Sequence, residues 1–252
     1  SKTKVTKEYI DAAPNMKLVI RGGVGLDNVD REYANERGIV VHNTPDASAI
    51  AVAECAFTLM IGITNHIGRA DSSMRDGKWI KKDLKRTELY RKTLGIIGLG
   101  RIGTELAKRG VAFGMTVVAY DPFVENSNCA EMKTEMKDVL NISDYVSLHM
   151  PLIESTIGVI NSETLKEFKD GSFLINTGRG KTIVEEDVAD ALQSGKLAGF
   201  GNDVWYSDPP EANHFANLPN VLMMPHLGAS TKENLLRIGE IVENTISEYV
   251  NN

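Results

Sequence analysis

The sequence has little cysteine, no long hydrophobic run and no cluster of basic residues. Its two cysteines, Cys55 and Cys129, lie far apart in 252 residues, without the spacing of a disulfide framework or a metal site. The five histidines are scattered, and none has the paired helical spacing of a zinc site. This usage argues against a disulfide-rich secreted domain, predicts no bound metal, and is typical of a protein of the reducing cytoplasm.

Charge and hydropathy argue against two further kinds of partner. The formal net charge is −6, with Lys and Arg spread along the chain, so no surface for nucleic acid or an anionic membrane is predicted. No apolar run is long enough to span a bilayer, and no charged-then-apolar leader opens the chain. With 42% hydrophobic and 25% charged residues, the composition is that of a soluble globular protein with one large or two smaller domains.

What the sequence does contain is an alternation of short apolar runs with amphipathic segments, which is typical of βαβ units around a parallel sheet. Several runs are apolar throughout, as expected for strands covered by helices on both faces. The predicted strands are 17–20, 39–41, 93–97, 115–120, 145–149, 172–176, 197–202 and 221–224. The predicted helices are 47–67, 101–113, 162–167, 185–194 and a last helix after Ser230, where Ser230 and Glu233 would form a capping box.

Two segments suggest assembly with a second copy. Helix 47–67 is apolar on most sides, which predicts burial between domains or at a subunit contact. Segment 69–92 is rich in charge, carries Trp79 and has little periodicity. A long irregular segment of this kind indicates a dimerisation arm, with a solvated loop as the alternative.

The strongest local motif is a glycine-rich turn between a predicted strand and a predicted helix. Gly98, Gly100 and Gly103 form GxGxxG, which permits a tight turn, close approach of a pyrophosphate and close packing of helix on strand. Asp121 lies 18 positions after Gly103, at the end of the next strand. A carboxylate there can accept hydrogen bonds from ribose hydroxyls and repel a 2′-phosphate. The motif therefore predicts NAD rather than NADP. The alternative for the glycines is a turn in which they are incidental, and the alternative for Asp121 is an ordinary Asp-Pro turn.

Three chemically distinct side chains follow predicted strands at the edge where open α/β sheets bind ligands. Arg179 follows strand 172–176, Asp208 follows strand 197–202 and His226 follows strand 221–224. A guanidinium holds a carboxylate and polarises the adjacent carbonyl, an imidazole supplies a proton to the developing alkoxide, and a carboxylate keeps that imidazole protonated and oriented. Taken singly, Arg179 could cap a helix or pair with a surface carboxylate, His226 could bond the backbone, and Asp208 could be a turn residue. Together they predict reduction of a 2-oxo acid by a nicotinamide.

At these motifs the chain resembles the D-isomer-specific 2-hydroxyacid dehydrogenases, and the resemblance runs along essentially its whole length. The matching strings are Arg-Gly-Gly-Val-Gly-Leu-Asp-Asn at 21–28, Asn-Thr-Pro at 43–45, Val-Ala-Glu at 52–54, the glycine loop, Asn-Thr-Gly-Arg-Gly at 176–180, Asp-Val-Trp at 203–205 and Pro-His-Leu-Gly-Ala-Ser-Thr-Lys-Glu at 225–233. The resemblance implies a doubly wound parallel sheet, which forms a Rossmann NAD-binding domain at 46–228. That domain would include the dimerisation helix and arm. A smaller flavodoxin-like substrate domain would be built from 1–45 and 229–252.

The resemblance also implies roles for individual residues. A catalytic Arg and His of the family would correspond to Arg179 and His226, and Asp208 is the third catalytic residue predicted above. The cofactor contacts would be Gly98, Gly100, Arg101, Ile102, Gly103, Asp121 at the ribose, Thr177, Asp203 at the nicotinamide carboxamide, His226 and Gly228. The substrate contacts would be the Val24 and Gly25 amides and Arg179 at the carboxylate, and Arg21 at a substrate phosphate, for which a surface ion pair is the alternative.

The chain departs from the family pattern at two places. The family has Glu where this chain has Asp208, so the carboxylate is on a stem one methylene shorter and would reach His226 only if its loop lies closer. Family members also begin with a further strand and helix, so the substrate domain is expected to be incomplete at its N-terminal end.

The leading hypothesis is an NAD-dependent D-2-hydroxyacid dehydrogenase that acts on 3-phosphoglycerate and 3-phosphohydroxypyruvate as a homodimer or higher homo-oligomer. A hydroxypyruvate or glyoxylate reductase is the alternative within the enzyme class. A non-catalytic NAD-sensing protein is the alternative outside it, and it depends on whether Asp208 fails to bond His226. A formate-type dehydrogenase is disfavoured by Asp208 and Arg21.

Overall fold

The computed structural model describes residues 3–251, in which nine strands form two parallel sheets. The strands are β1 (Leu18–Arg21), β2 (Val40–Asn43), β3 (Thr93–Ile97), β4 (Thr116–Tyr120), β5 (Glu131–Met132), β6 (Tyr145–Leu148), β7 (Ser172–Asn176), β8 (Leu197–Asn202) and β9 (Val221–Met223). All eight strands predicted from the sequence are confirmed, with ends that differ by at most two residues. The sequence missed β5 because two residues carry no apolar run; β5 pairs with Val118 and Ala119 of β4.

The helices complete the α/β alternation. They are α1 (Lys7–Asp11), α2 (Arg31–Glu36), α3 (Ala49–Thr64), α4 (Ile67–Arg75), α5 (Arg101–Ala112), α6 (Met136–Leu140), α7 (Ser162–Lys166), α8 (Glu185–Gln193) and α9 (Lys232–Asn251), with 3₁₀ turns at Lys81–Asp83, Glu154–Thr156 and Gly180–Thr182.

The larger unit, Val52–Gly228, is built on the seven-stranded sheet. Its strand order is β5-β4-β3-β6-β7-β8-β9, and every pairing is parallel. After β5 the chain returns to the other side of β3 and continues outward with β6, which creates a topological switch point between the carboxyl ends of β3 and β6. β6 is buried along its whole length, because apolar clusters cover both faces of the sheet. The predicted doubly wound sheet is therefore confirmed.

Of the described residues, the smaller unit comprises 3–51 and 229–251. β1 and β2 form its two-stranded parallel sheet, and Ile10, Ala34 and Ile39 form its buried cluster. The compact units divide after Ala51, within α3; the domain boundary at residue 45 stays a prediction. The helix is continuous across that point, so hydropathy gives no signal there. The flavodoxin-like character and substrate role of this unit stay predictions.

Helix 47–67 was predicted too long. α3 ends at Thr64, and α4 begins three residues later, after His66 in the left-handed conformation (φ 52°). The two helices are bent by 62° at this break. The prediction that 69–92 is irregular was correspondingly wrong at its start, because α4 covers Ile67–Arg75 and an Arg75–Asp71 ion pair one turn apart supports it.

The predicted cap of the last helix was wrong by one residue. Thr231, not Ser230, accepts a hydrogen bond from the Asn234 N–H (3.0 Å), and α9 begins at Lys232. Asn234 is buried, and its side-chain amide donates to the Ala229 carbonyl oxygen. Burial of Asn234 therefore sets the start of the helix, which a local capping pattern does not reveal.

Candidate active site

The carboxyl ends of β7, β8 and β9 lie side by side in the sheet of the larger unit. Arg179 follows β7, Asp203 and Asp208 follow β8, and His226 follows β9. Neighbouring strands are about 4.8 Å apart, so the fold brings these functional groups to one short stretch of the sheet edge. This arrangement is the one predicted from the sequence.

His226 and Asp208 are directly paired. His226 Nδ1 lies 2.5 Å from Asp208 Oδ2, and the two side chains are about half exposed, at 47% and 45%. With Nδ1 engaged by the carboxylate, Nε2 is the nitrogen left to exchange a proton with a substrate. The shorter Asp side chain therefore does reach the imidazole, which removes the main argument for a non-catalytic protein.

Asp203 holds the backbone that carries His226. Its Oδ1 accepts the Leu227 N–H (2.7 Å) and its Oδ2 accepts the Gly228 N–H (2.8 Å). His226 itself has a φ of 58°, an uncommon conformation for a residue with a side chain. Burial raises the pKa of the Asp203 carboxyl above its ordinary value, while the two N–H donors oppose that rise. Asp203 thus fixes the His226 loop, and its contact with the nicotinamide carboxamide stays a prediction.

Arg179 stands on a loop that Asn176 braces. The Asn176 side chain accepts the Gly178 N–H (3.1 Å) and donates to the Arg179 carbonyl oxygen (3.1 Å), which also accepts the Thr182 hydroxyl (2.7 Å). The Arg179 guanidinium donates to the Gly178 carbonyl oxygen (2.8 Å). Asn176 is fully buried, so the loop that carries the guanidinium is anchored to the core.

The glycine-rich turn after β3 has the geometry its sequence predicts. Gly98 has a φ of 94°, and a Cβ there would lie 2.8 Å from the main-chain carbon of His149, at the end of β6. A Cβ at Gly103 would lie 2.3 Å from the Gly98 carbonyl oxygen, so α5 packs directly on the turn. By contrast, a Cβ at Gly100 would meet nothing within 4 Å, which leaves open space above the turn.

Asp121 closes this turn from the end of β4. Its Oδ2 accepts the Leu99 N–H (2.8 Å), and its Oδ1 accepts the Phe123 N–H (2.9 Å). Each carboxylate oxygen has a further lone pair, so both remain able to accept from a ribose hydroxyl. The structure adds a role that the sequence did not predict, because Asp121 also braces the glycine-rich turn.

The three predicted substrate contacts outside the sheet unit lie in the smaller unit. Arg21 ends β1, and its guanidinium occupies the space that a Cβ at Gly23 would need (Nη1 at 1.5 Å). Among residues 3–251, the Val24 and Gly25 N–H groups have no hydrogen-bond acceptor. Their roles at a carboxylate and a phosphate stay predictions.

Comparison with known proteins identifies the family. A model of the D-isomer specific 2-hydroxyacid dehydrogenase, NAD binding domain, matches residues 57–228. The chain belongs to this family. A hydroxypyruvate reductase of Thermotoga maritima is 46% identical over 98% of this chain and 82% of its own length. A D-3-phosphoglycerate dehydrogenase of Methanocaldococcus jannaschii is 41% identical over 99% of this chain.

The chain spans 48% of that phosphoglycerate dehydrogenase, about half its length. Among solved structures, a D-lactate dehydrogenase of Aquifex aeolicus in complex with NAD and lactic acid is similar with a TM-score of 0.89 and 31% identity. That similarity covers 98% of this chain and 80% of the other. The dehydrogenase family uses NAD.

The site fits a dinucleotide on three observations. The open space over Gly100 suits a pyrophosphate, and α5 begins at Arg101 without a side-chain cap, so its first N–H groups face that space. Thr177 is 6% exposed, and its buried hydroxyl has no hydrogen-bond partner within residues 3–251. A buried hydroxyl of this kind indicates a polar ligand or water.

Two further predicted cofactor contacts are Ile102 and Gly228. Ile102 follows Arg101 in the first turn of α5. Gly228 packs against Asp203, because a Cβ at Gly228 would lie 3.0 Å from Asp203 Oδ2.

Sequence reasoning missed the residues that hold the site together. Asn176, Trp205 and Tyr206 were not singled out, although a polar residue at the end of an apolar strand is a usable signal for Asn176. Nothing local in the sequence indicates that the Trp205 indole donates to the Met224 carbonyl oxygen (3.0 Å). Such contacts depend on which strands become neighbours in the sheet.

In the described part of the chain, no group of three or more His, Cys, Asp or Glu side chains is placed to hold a metal ion. Cys55 and Cys129 are free thiols, and burial raises the pKa of Cys55 to about 12, so its thiol is not a nucleophile at neutral pH. Within residues 3–251, no single helix is long and apolar enough to cross a membrane; only the bent pair α3 and α4 satisfies that test together.

Proposed function

We propose that this protein catalyses the reversible reduction of a small 2-oxo acid to a D-2-hydroxy acid. The observation that carries the proposal is the His226–Asp208 pair at 2.5 Å, on the same sheet edge as Arg179. A paired imidazole and a guanidinium at one sheet edge form the donor set that this reduction requires.

The roles of the side chains follow from their chemistry. NAD, when bound, supplies or accepts the hydride. The Arg179 guanidinium binds the substrate carboxylate and polarises the neighbouring carbonyl. His226 Nε2 gives a proton to the carbonyl oxygen during reduction and takes it back during oxidation. Asp208 fixes the tautomer and orientation of His226 and stabilises the imidazolium by its negative charge.

A three-carbon acid with an oxygen substituent at C3 is the proposed substrate. The pair 3-phosphoglycerate and 3-phosphohydroxypyruvate is the leading candidate, because Arg21 provides a cation for a phosphate and several similar proteins are named D-3-phosphoglycerate dehydrogenase. This substrate would assign the enzyme to serine biosynthesis. Hydroxypyruvate is the second candidate, favoured by the greater similarity to the hydroxypyruvate reductase, at 46% against 41% identity.

A substrate panel tests this proposal. NADH oxidation is measured with 3-phosphohydroxypyruvate, hydroxypyruvate, glyoxylate and pyruvate, for the wild type and Arg21→Gln. The leading candidate predicts the highest kcat/KM for the phosphorylated acid and a selective loss of that preference in Arg21→Gln. Equal loss for all four acids would contradict a phosphate-binding role, and preference for hydroxypyruvate in both proteins would establish the second candidate.

The proposal includes a homodimer or higher homo-oligomer in the cytoplasm. Support for assembly comes from apolar side chains on α4 and after it, where Met74 is 57% exposed and Trp79 is 77% exposed, since large exposed apolar groups are typical of interfaces. The two free thiols agree with a reducing compartment. Sedimentation velocity is the test for assembly: a single species at 27.6 kDa would contradict it. Cell fractionation tests the location.

A further inference from the structure

The pairing of Asp208 with His226 needs an explanation, because neither side chain is buried. Both are about half exposed, so packing around the carboxylate does not hold it in place. Asp208 also lies on an irregular segment, between the ends of β8 at Asn202 and β9 at Val221. The position of that segment must therefore be fixed by contacts of neighbouring residues.

Tyr206, two residues before Asp208, makes one of these contacts. Its hydroxyl donates a 2.7 Å hydrogen bond to the Ile183 carbonyl oxygen. Ile183 is buried (1% exposed) and forms an isolated parallel bridge with Ile160. The acceptor therefore belongs to a rigid part of the unit, and it lies four residues after Arg179. Tyr206 as a residue is 45% exposed, so its hydroxyl bond, more than burial of its ring, holds the segment in place.

Trp205 fixes the same segment from the other side. Its indole Nε1 donates to the Met224 carbonyl oxygen (3.0 Å), two residues before His226. The main chain of Trp205 also lies against Gly180, where a Cβ would be 2.2 Å from the Trp205 carbonyl group. Residues 205 and 206 thus connect the loop of Arg179 with the strand end that precedes His226.

We propose that Tyr206 is a positioning residue for Asp208, and that its bond to Ile183 brings the short Asp side chain within reach of His226. The inference rests on the proposed function. Its physical basis is the narrow range of hydrogen-bond lengths, because donor–acceptor distances vary over only about 0.5 Å. A Glu, longer by one C–C bond of about 1.5 Å, can compensate for a displaced segment by changing its rotamers, whereas an Asp cannot.

The test is a double-mutant cycle of Tyr206→Phe with Asp208→Glu. Tyr206→Phe removes one hydroxyl and keeps the ring, so the core is preserved. When Asp208 is kept, we expect Tyr206→Phe to lower kcat about tenfold and to leave the Kd for NADH unchanged. Coupling between residues of one hydrogen-bond network corresponds to several-fold up to about hundredfold changes in rate. In the Asp208→Glu background the same change should lower kcat by less than about twofold. Equal falls in both backgrounds, or no fall in the Asp208 background, would overturn the proposal.

Tyr249→Phe is the matched control. Tyr249 also donates its hydroxyl to a main-chain carbonyl, that of Lys17 (3.4 Å), but in the smaller unit. We expect this variant to retain wild-type kcat and the wild-type response to Asp208→Glu. A general effect of a lost tyrosine hydroxyl would instead appear in both variants.

A readout without substrate separates this inference from the proposed function. In protein labelled with 15N-histidine, the chemical shift of His226 Nδ1 reports whether Asp208 accepts its hydrogen bond. We expect Tyr206→Phe to move that shift towards the value in Asp208→Asn, and Tyr206→Phe with Asp208→Glu to restore it. An unchanged shift in Tyr206→Phe would overturn the positioning role, even if the protein oxidised NADH with none of the acids.

Discussion

Asp208 Oδ2 lies 2.5 Å from His226 Nδ1, although Asp replaces the longer Glu expected at this position. The imidazole and the carboxylate are therefore paired, and they come from residues 18 positions apart. The Trp205 and Tyr206 contacts explain how the segment before Asp208 is held.

Asp121→Ala should weaken NAD binding about tenfold or more and reduce discrimination against NADP. The carboxylate braces the glycine-rich turn through Leu99 and offers lone pairs to the ribose, and each such bond contributes about 1 kcal/mol. Isothermal titration with both cofactors measures the effect. Asp170→Ala removes an exposed carboxylate of the same unit, paired with Lys196, and should change neither affinity. An unchanged preference for NAD in Asp121→Ala would refute the ribose assignment.

Gly100→Ala should lower the affinity for NADH at least about tenfold without destabilising the protein. A Cβ at this position meets no atom within 4 Å, so the fold accepts it, whereas a pyrophosphate close to the main chain does not. The control is Gly239→Ala in α9, where a Cβ also meets nothing within 4 Å. That variant should bind NADH normally and gain up to about 1 kcal/mol from helix propensity. Normal NADH affinity in Gly100→Ala would show that no phosphate approaches this turn.

The sequence predicts the position of some residues of the site and not of others. Arg179 and His226 were predicted from strand ends, because hydrophobic runs mark the strands of a parallel sheet and the edge follows from strand direction. The reach of Asp208 could not be predicted, since it depends on hydrogen bonds from Trp205 and Tyr206 to main-chain carbonyl groups that lie elsewhere in the sequence. The cap at Thr231 was missed for a similar reason, because burial of Asn234 overrides the local pattern.

His149 should make the stability of the protein depend on pH between about 4 and 6.5. Burial lowers the pKa of His149 to about 4, and its Nδ1 is buried without a partner among residues 3–251. In this range the unfolded chain binds a proton that the folded chain does not. Stability from this group is therefore complete above pH 6.5 and is lost as the pH falls towards 4. The loss amounts to about 2 kcal/mol after allowance for the intermediate burial of His149 as a whole residue.

Urea denaturation at several pH values measures this slope. His149→Asn should flatten it, whereas His42→Asn, at an exposed position of β2, should not. If His149→Asn keeps the wild-type slope, the buried imidazole is not its source.

The measurement that tests the central claim most directly compares wild type and His226→Ala for NADH binding and for single-turnover NADH oxidation with 3-phosphohydroxypyruvate and hydroxypyruvate. If His226 transfers the proton, the variant should bind NADH with wild-type affinity and react about 10²- to 10⁴-fold more slowly with the preferred acid. Reaction of the variant at the wild-type rate, or a folded wild type that binds NADH and reduces neither acid, would contradict the account.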